Sequence, residues 1–202
     1  VFGVLVYGMQ RNMIYFPTPP VGHSHDTELI DNKGYPVSTV VVNAGREHGL
    51  LYFGGNGEAV AQNGDGFAAL FPRHTAYLVH YRGYGGSGGS PSEAAIYDDA
   101  LAVFDAIRGR HATLTVVGRS LGSGVATFLA VERALDRLVL VTPFDSVLNV
   151  ARQQLPMYPI NLLLKDRYDS IGRAGQITAP TLVVVAEHDE VIPGVRSQAL
   201  LD

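Results

Sequence analysis

The sequence contains no cysteine among its 202 residues, and this absence excludes several kinds of site. A chain without thiols forms no disulfide, no thiolate nucleophile and no zinc site with cysteine ligands. The absence of cysteine does not indicate the cellular compartment. Lysine is scarce as well, since only Lys33 and Lys165 occur, and the formal net charge is −4. Because a phosphate-binding face needs clustered lysine and arginine, nucleic acid is not predicted as a partner.

The apolar run at the N-terminus, Val1–Met9, is too short to cross a bilayer, which takes about 20 residues. It has no initiator methionine, and polar residues follow it from Gln10 onward. Two interpretations are open. The run is either the end of a trimmed membrane anchor or signal segment, which would imply membrane association, or an edge strand or docked terminal arm. The predicted localisation is therefore membrane-associated or cytoplasmic.

Hydrophobic residues make up 47% of the chain and charged residues 17%, which fits one well-buried domain. Segments typical of buried strands alternate with segments of helical periodicity. This alternation predicts an α/β fold with a doubly wound, mostly parallel sheet and helices on both faces. The predicted strands are Val37–Asn43, Gly49–Phe53, Ala76–Tyr81, Thr113–Val117, Leu138–Val141 and Thr181–Ala186, and the predicted helices are Ala59–Phe71, Ser92–Arg110 and Gly122–Ala134.

The stretch 144–179 departs from this alternation, because it contains Pro156, Pro159 and the apolar run Leu162–Leu164. We interpret it as a small lid-like insertion within a single domain that spans residues 1–202. In a doubly wound sheet the ligand binds beyond the carboxyl ends of the strands. The functional residues are therefore expected at that edge of the sheet, beneath the insertion.

The segment Gly118–Gly122 reads Gly-Arg-Ser-Leu-Gly and directly follows the predicted strand Thr113–Val117. This G-x-S-x-G pattern is typical of a nucleophile elbow, a tight strand-to-helix turn in which side chains at the two glycines would collide with the neighbouring strand and helix. A serine hydroxyl is a weak nucleophile, so it must stand where a base can reach its proton. The turn also places the Leu121 N–H where an oxyanion forms. Ser120 is therefore the candidate nucleophile, and an ordinary Gly-Ser turn is the alternative.

Two further features of the sequence bear on ligand binding. Arg119, inside the elbow, has a charge that could orient a carboxylate or phosphate on a substrate, and a surface ion pair is the alternative. The glycine-rich loop Arg82–Gly89 invites comparison with a phosphate-binding loop, but it lacks the lysine and Ser/Thr that end a P-loop. Nucleotide binding is therefore not predicted.

Four segments follow one another in a recognisable order around the elbow: Tyr52–Gly57, Tyr81–Pro91, Thr142–Ser146 and Ala179–Pro193. Together with the elbow, and from about Gln10 onward, they resemble the alpha/beta-hydrolase superfamily. The resemblance is greatest to its small-lid bacterial branch of often membrane-anchored serine hydrolases. The first segment matches the oxyanion loop of that family, and the last matches the strand and loop that present the catalytic acid. Two positions depart from the family pattern, namely Gly54 in place of His and His80 in place of Asp.

The resemblance implies a catalytic triad in the order serine, acid, histidine. Asp189 is the matching acid, whose role is to hold the histidine in one tautomer and to stabilise the imidazolium. Asp145 is the alternative acid, unless its side chain caps the turn before the next helix. The histidine is expected beyond Asp202, with a final strand and helix. His188 stands beside the acid and cannot also face it, whereas His80 is either a functional residue or a solvated or turn-bonded imidazole.

The resemblance also implies an oxyanion hole with two backbone donors. The Leu121 N–H is one donor, and the Asn56 N–H, at the end of the second predicted strand, is expected to be the other. The glycines of the run Gly54–Gly57 can take positive φ values that aim amides inward, and a plain turn is the alternative.

These inferences predict a serine hydrolase that cleaves an ester, thioester or amide bond through an acyl-enzyme on Ser120, with no metal or cofactor. The expected partner is a small-molecule or lipid-like acyl substrate, and carboxylesterase or thioesterase activity is favoured over peptidase activity. The alternative is a catalytically inactive hydrolase-fold protein that binds a ligand or partner. A haloalkane dehalogenase or epoxide hydrolase is disfavoured, because those enzymes have aspartate at the elbow.

Overall fold

The computed structural model describes residues 10–154, 157, 159–186 and 194–200, and its strands form one sheet. The strands are β1 (Asp26–Asn32), β2 (Tyr35–Val42), β3 (His48–Phe53), β4 (His74–Val79), β5 (Thr113–Arg119), β6 (Arg137–Val141) and β7 (Thr181–Val184). Within the described residues their order is β1-β2-β4-β3-β5-β6-β7. The pairs β1–β2 and β2–β4 are antiparallel, and every other pair is parallel. The predicted mostly parallel sheet is confirmed.

Helices cover both faces of this sheet. They are α1 (10–14), α2 (Gly64–Leu70), α3 (Glu93–Arg108), α4 (Leu121–Glu132), α5 (Val147–Gln154), α6 (Ile160–Leu163), α7 (Ile171–Ala174) and α8 (Gly194–Gln198), and a 3-10 helix (Val60–Asn63) precedes α2. Strand β3 shows the two faces directly, because Leu51 and Phe53 belong to the core under α3 and α4. Leu50 and Tyr52 alternate with them and belong to the core under α2.

Local sequence explains why α3 forms where it does. The Ser92 hydroxyl accepts a hydrogen bond from the Ala95 N–H at 3.2 Å, and Glu93 and Arg108 match the helix dipole at the two ends. Its buried side chains recur with helical spacing and include Ile96, Ala100, Val103, Phe104 and Ile107. Burial of each large side chain contributes roughly 1.5–3 kcal/mol to the stability of the fold.

The predicted strands agree with the observed ones to within two residues at every end. Strand β1 was not predicted, since its sequence Asp-Thr-Glu-Leu-Ile-Asp-Asn is mostly polar. It pairs with β2 from Asp26 opposite Val41 to Asn32 opposite Tyr35, at the edge of the sheet. The predicted helix Ala59–Phe71 is divided into the 3-10 helix and α2.

The residues before the sheet dock against the stretch 144–179, which contains α5, α6 and α7. The Gln10 side-chain amide donates to the Leu163 carbonyl at 2.9 Å, and Arg11 pairs with Asp166 at 3.0 Å. The run Val1–Met9 lies outside the described residues. Among the helices that the structure describes, none combines the length and the apolar character needed to traverse a bilayer.

Candidate active site

Ser120 occupies a strained turn between β5 and α4. Its backbone lies at φ 50° and ψ −116°, in a region that costs a residue with a side chain about 1–3 kcal/mol. Neighbouring elements hold this conformation, because the Ser120 N–H donates to the Val141 carbonyl of β6 at 3.0 Å. The Ser123 N–H and hydroxyl both donate to the Ser120 carbonyl, at 2.8 and 2.6 Å. The side chain of Ser120 is half-buried.

The two glycines of this turn allow strand and helix to approach closely. A Cβ atom on Gly118 would lie 2.3 Å from the Gly122 carbonyl oxygen and 2.7 Å from the Ala126 Cβ. A Cβ on Gly122 would lie 2.0 Å from the Phe53 carbonyl oxygen. The collision predicted from the sequence is confirmed, so neither position accommodates a larger residue without movement of the backbone.

The loop Gly54–Gly57 lies beside this turn, because β3 and β5 are neighbours in the sheet. The Gly122 N–H donates to the Gly54 carbonyl at 3.1 Å, and a Cβ on Gly55 would lie 3.7 Å from the Ser120 Cβ. Leu121 begins α4, so its N–H is among those that have no acceptor within the helix. The roles of the Leu121 and Asn56 N–H groups as donors to an oxyanion stay a prediction.

The backbone of this loop differs in one respect from the expectation. Within Gly54–Gly57 only Gly57 has a positive φ, at 70°, so the prediction of left-handed glycines is wrong for the other positions. Gly54 is instead required for space, since a Cβ there would lie 2.6 Å from Val60 Cγ1. A family-type histidine at position 54 would meet the same obstacle.

The side chain of Asn56 anchors the loop to the chain before the sheet. Its amide nitrogen donates to the Ile14 carbonyl at 2.5 Å. Its amide oxygen accepts hydrogen bonds from the Phe16 N–H at 3.1 Å and from the Tyr84 hydroxyl at 2.8 Å. Burial raises the pKa of Tyr84 to about 12, so this phenol remains a donor at neutral pH. The side chain of Asn56 is thus fixed by these hydrogen bonds. The direction of its backbone N–H is set by the main chain of the loop.

Glu58 is a site residue that the sequence analysis did not single out. Its carboxylate, 12% exposed, accepts the Gly55 N–H at 2.6 Å and pairs with Arg119 at 2.9 Å. The other oxygen accepts hydrogen bonds from Tyr52 and Asn63, at 2.8 and 2.6 Å. Of the two roles weighed for Arg119, the structure has the ion pair. An acidic residue soon after the glycine run was a signal in the sequence, but its charged partner Arg119 lies 61 residues away along the chain.

Asp145, the alternative acid, caps a turn. Its carboxylate accepts the Ser146 N–H at 2.7 Å and the Asn149 side-chain amide at 2.8 Å, at the start of α5. The same buried carboxylate pairs with Arg196 of α8 at 3.0 Å. The Ser146 hydroxyl accepts the Asn149 N–H at 3.0 Å, so Asp145 supports the turn before α5 together with Ser146. Asp189 and His188 lie outside the described residues, so the assignment of the acid stays a prediction.

His80 is buried beneath the glycine loop that follows it and is 4% exposed. A Cβ on Gly85 would lie 1.9 Å from the His80 ring, and the ring Nδ1 has no hydrogen-bond partner among the described residues. Burial lowers the pKa of His80, so the imidazole is neutral at pH 7. The expectation of a solvated imidazole is wrong.

Comparison with known proteins places the chain among hydrolases, although no family model matches it. It is 33% identical to the uncharacterized protein Rv2307c of Mycobacterium tuberculosis, over 98% of this chain and 76% of that protein. It is 31% identical to the lysophosphatidylserine lipase ABHD12 of Danio rerio, over 76% of this chain and 46% of the lipase. Identity to the alpha/beta hydrolase domain-containing protein WAV2 of Arabidopsis thaliana is 29%, over 58% of this chain and 44% of WAV2.

Solved structures share the architecture at low sequence identity. The esterase Pf2001 of Pyrococcus furiosus superposes with a TM-score of 0.73, covering 93% of this chain and 82% of the esterase at 15% identity. At that identity the likeness establishes the fold alone. The sequence relatives and this superposition agree on one architecture for the chain.

Proposed function

This chain belongs to the alpha/beta-hydrolase superfamily, and on that premise we propose that it is a serine hydrolase acting through an acyl-enzyme on Ser120. The observation that carries the proposal is the left-handed backbone of Ser120, at φ 50°, in a turn where both flanking glycines lie too close to their neighbours to carry a side chain. Such strain persists only where the surrounding structure enforces it, and it is concentrated at functional sites.

In the proposed reaction Ser120 attacks the carbonyl carbon of an ester, thioester or amide. A histidine takes the hydroxyl proton and later donates it to the leaving group, and Asp189 orients that histidine. The N–H groups of Leu121 and Asn56 stabilise the tetrahedral oxyanion, a contribution of about 3 kcal/mol per donor. Water then releases the acyl group, which restores the serine.

The substrate we propose is a small or lipid-like acyl compound. One relative of the chain, at 31% identity, is a lysophosphatidylserine lipase. Its name supports ester chemistry over peptide chemistry for this chain. A carboxylesterase or thioesterase activity is the specific form of the proposal.

We also propose that the chain is one hydrolase domain in which residues 144–179 form a small lid of the kind found in the often membrane-anchored bacterial branch. In support, this stretch contributes helices of 8, 4 and 4 residues and no strand in its described part. A lid this short leaves an open cleft. Membrane anchoring through the N-terminal run Val1–Met9 stays a prediction.

The proposal is tested by labelling the full-length protein with a fluorophosphonate and mapping the modified residue by mass spectrometry. Such probes react with a serine that a base and an oxyanion hole activate. We expect an adduct on Ser120 and hydrolysis of p-nitrophenyl esters or acyl thioesters. Ser120→Ala is expected to lower kcat by about 10⁴-fold or more while the protein stays folded.

Ser90→Ala is the matched control, because Ser90 is an exposed serine in another loop. It should leave both labelling and turnover unchanged. A folded protein that shows no adduct on Ser120 and no turnover would contradict the proposal and favour a hydrolase-fold binding protein. Turnover that survives Ser120→Ala would contradict the assignment of the nucleophile.

A further inference from the structure

The carboxylate of Glu58 lies between the two elements that form the proposed oxyanion hole. Its Oε2 atom accepts the Gly55 N–H at 2.6 Å, on the loop, and the Arg119 Nη1 at 2.9 Å, on the elbow. Arg119 directly precedes Ser120, and Gly55 directly precedes Asn56. One carboxylate oxygen of Glu58 therefore connects Arg119, the residue before the nucleophile, with Gly55, the residue before the second proposed donor.

The hydrogen bond to Gly55 fixes the direction of a peptide group. Because the Gly55 N–H is occupied by Glu58, it cannot donate to a substrate oxyanion at the same time. The peptide plane between Gly54 and Gly55 is held by this bond on one side. On the other side the Gly54 carbonyl accepts hydrogen bonds from the Gly122 N–H and the Tyr81 hydroxyl, at 3.1 and 2.6 Å. The next peptide, which carries the Asn56 N–H, is held at its carbonyl by the backbone of the same glutamate, because the Glu58 N–H donates to the Gly55 carbonyl at 3.3 Å.

The charge of Glu58 would oppose the reaction if it stood alone. A carboxylate bound to the residue next to an oxyanion donor repels the negative charge that develops in the transition state, and the repulsion is strong where burial lowers the dielectric constant. Arg119 supplies the compensating charge within hydrogen-bond distance. Tyr52 and Asn63 donate to the other oxygen and disperse the charge further.

We propose that Glu58 and Arg119 are a positioning pair, in which Glu58 orients the oxyanion loop and Arg119 neutralises Glu58 beside the developing negative charge. This inference rests on the proposed function, since it assigns roles toward the oxyanion formed at Ser120. Neither side chain touches the substrate in this scheme. Arg119 is 54% exposed, so its substitution removes little packing, whereas Glu58 is 12% exposed and is replaced only by glutamine, which has the same shape.

The experiment measures kcat and KM of the full-length protein with p-nitrophenyl acetate, which carries no charge. Arg119→Gln leaves an uncompensated carboxylate, so kcat should fall by about tenfold or more with KM within about twofold. Glu58→Gln with Arg119→Gln removes both charges and should recover part of that loss. Arg119→Lys retains the charge and should retain more activity than Arg119→Gln. A purely structural role predicts instead that the double variant is the worst of the three.

Arg110→Gln is the matched control, since Arg110 pairs at 2.8 Å with Glu28 on the edge strand β1. It should leave kcat unchanged, and melting temperatures of all variants are measured alongside. The inference alone is overturned if wild-type Ser120 is labelled by fluorophosphonate and Arg119→Gln keeps its kcat. It is also overturned if Arg119→Gln raises only KM, and only for an anionic ester, because Arg119 would then bind the substrate. A wild-type protein without labelling or turnover overturns both the inference and the proposed function.

Discussion

Two glycine-rich loops follow the neighbouring strands β3 and β4, and glycine serves a different purpose in each. In the loop Gly54–Gly57, the glycine at position 54 makes room, because Val60 lies 2.6 Å from the place of its missing Cβ. In the loop Arg82–Gly89, the glycines at positions 83, 85, 86 and 89 have φ values of 81°, 52°, 100° and 75°. Glycine is thus required in the first loop because neighbouring atoms leave no room for a side chain. In the second loop it is required because the backbone has positive φ values.

The difference separates activity from stability. The first loop contacts the candidate nucleophile, so crowding it should change turnover. The second loop encloses His80 and reaches the site through Tyr84, which donates to Asn56 at 2.8 Å. Damage to the second loop should therefore appear mainly as a lower free energy of unfolding.

Gly85→Ala should have the largest effect on stability. Its Cβ would lie 1.9 Å from the His80 ring, at a φ of 52° that side chains rarely adopt. Backbone strain and overpacking together predict a loss of about 2–4 kcal/mol in the free energy of unfolding, measured by urea denaturation. Turnover per folded molecule should stay near that of the wild type.

Gly86→Ala is the control for this substitution, because its φ is 100° but the nearest atom to its Cβ is 4.0 Å away. It isolates the backbone strain and should cost less than Gly85→Ala. Equal losses for the two variants would show that crowding against His80 contributes nothing.

Gly54→Ala should show the opposite profile. A methyl group in contact with Val60 displaces the Gly54 carbonyl, to which the Gly122 N–H and the Tyr81 hydroxyl donate. We expect kcat/KM to fall by about tenfold or more, with a loss of about 1–3 kcal/mol in stability. Ester hydrolysis and urea denaturation measure the two effects.

A second substitution tests the cause of this effect. Val60→Ala removes the atom that the new methyl group would strike, so it should restore part of the activity lost in Gly54→Ala. If the double variant is no better than the single one, crowding at Val60 is not the reason that position 54 is glycine.

The smallest expected effect is the pH dependence of stability that His80 produces under the second loop. Burial lowers the pKa of His80 below its value in the unfolded chain, about 6.5, so the unfolded state binds the proton first as pH falls. The stabilising contribution of the neutral ring is complete above that value. It declines as pH drops toward the folded pKa, by at most about 1.4 kcal/mol per pH unit.

His80→Leu removes this titration and should flatten the decline in unfolding free energy between pH 7.5 and pH 5. Urea denaturation across this range measures it. His74, whose pKa is lowered by burial and by neighbouring His48, contributes a decline of the same sign in both proteins. Identical pH profiles for wild type and His80→Leu would contradict the assignment to His80.

The central strands were predictable from sequence because they are short, largely apolar and rich in β-branched residues, as in β5, where Leu114 and Val116 are buried on one face and Thr115 and Val117 are half-buried on the other. The elbow was predictable because steric limits act on adjacent residues, Gly118 to Gly122. Strand β1 was not, since Leu29 on it is 63% exposed and its pairing with β2 depends on an edge position. Glu58 was missed for a similar reason, because its partner Arg119 is 61 residues away along the chain.

The hydrogen bond from the Gly122 N–H to the Gly54 carbonyl, at 3.1 Å, has a consequence for how the site opens. Helix α4 and strand β3 cannot separate at this point unless the bond breaks and the close contact between Gly122 and Phe53 is lost. Exchange of the Gly122 amide with deuterium should then require an opening nearly as large as global unfolding. This bond therefore keeps the elbow and the loop Gly54–Gly57 together in the resting protein, before any substrate arrives.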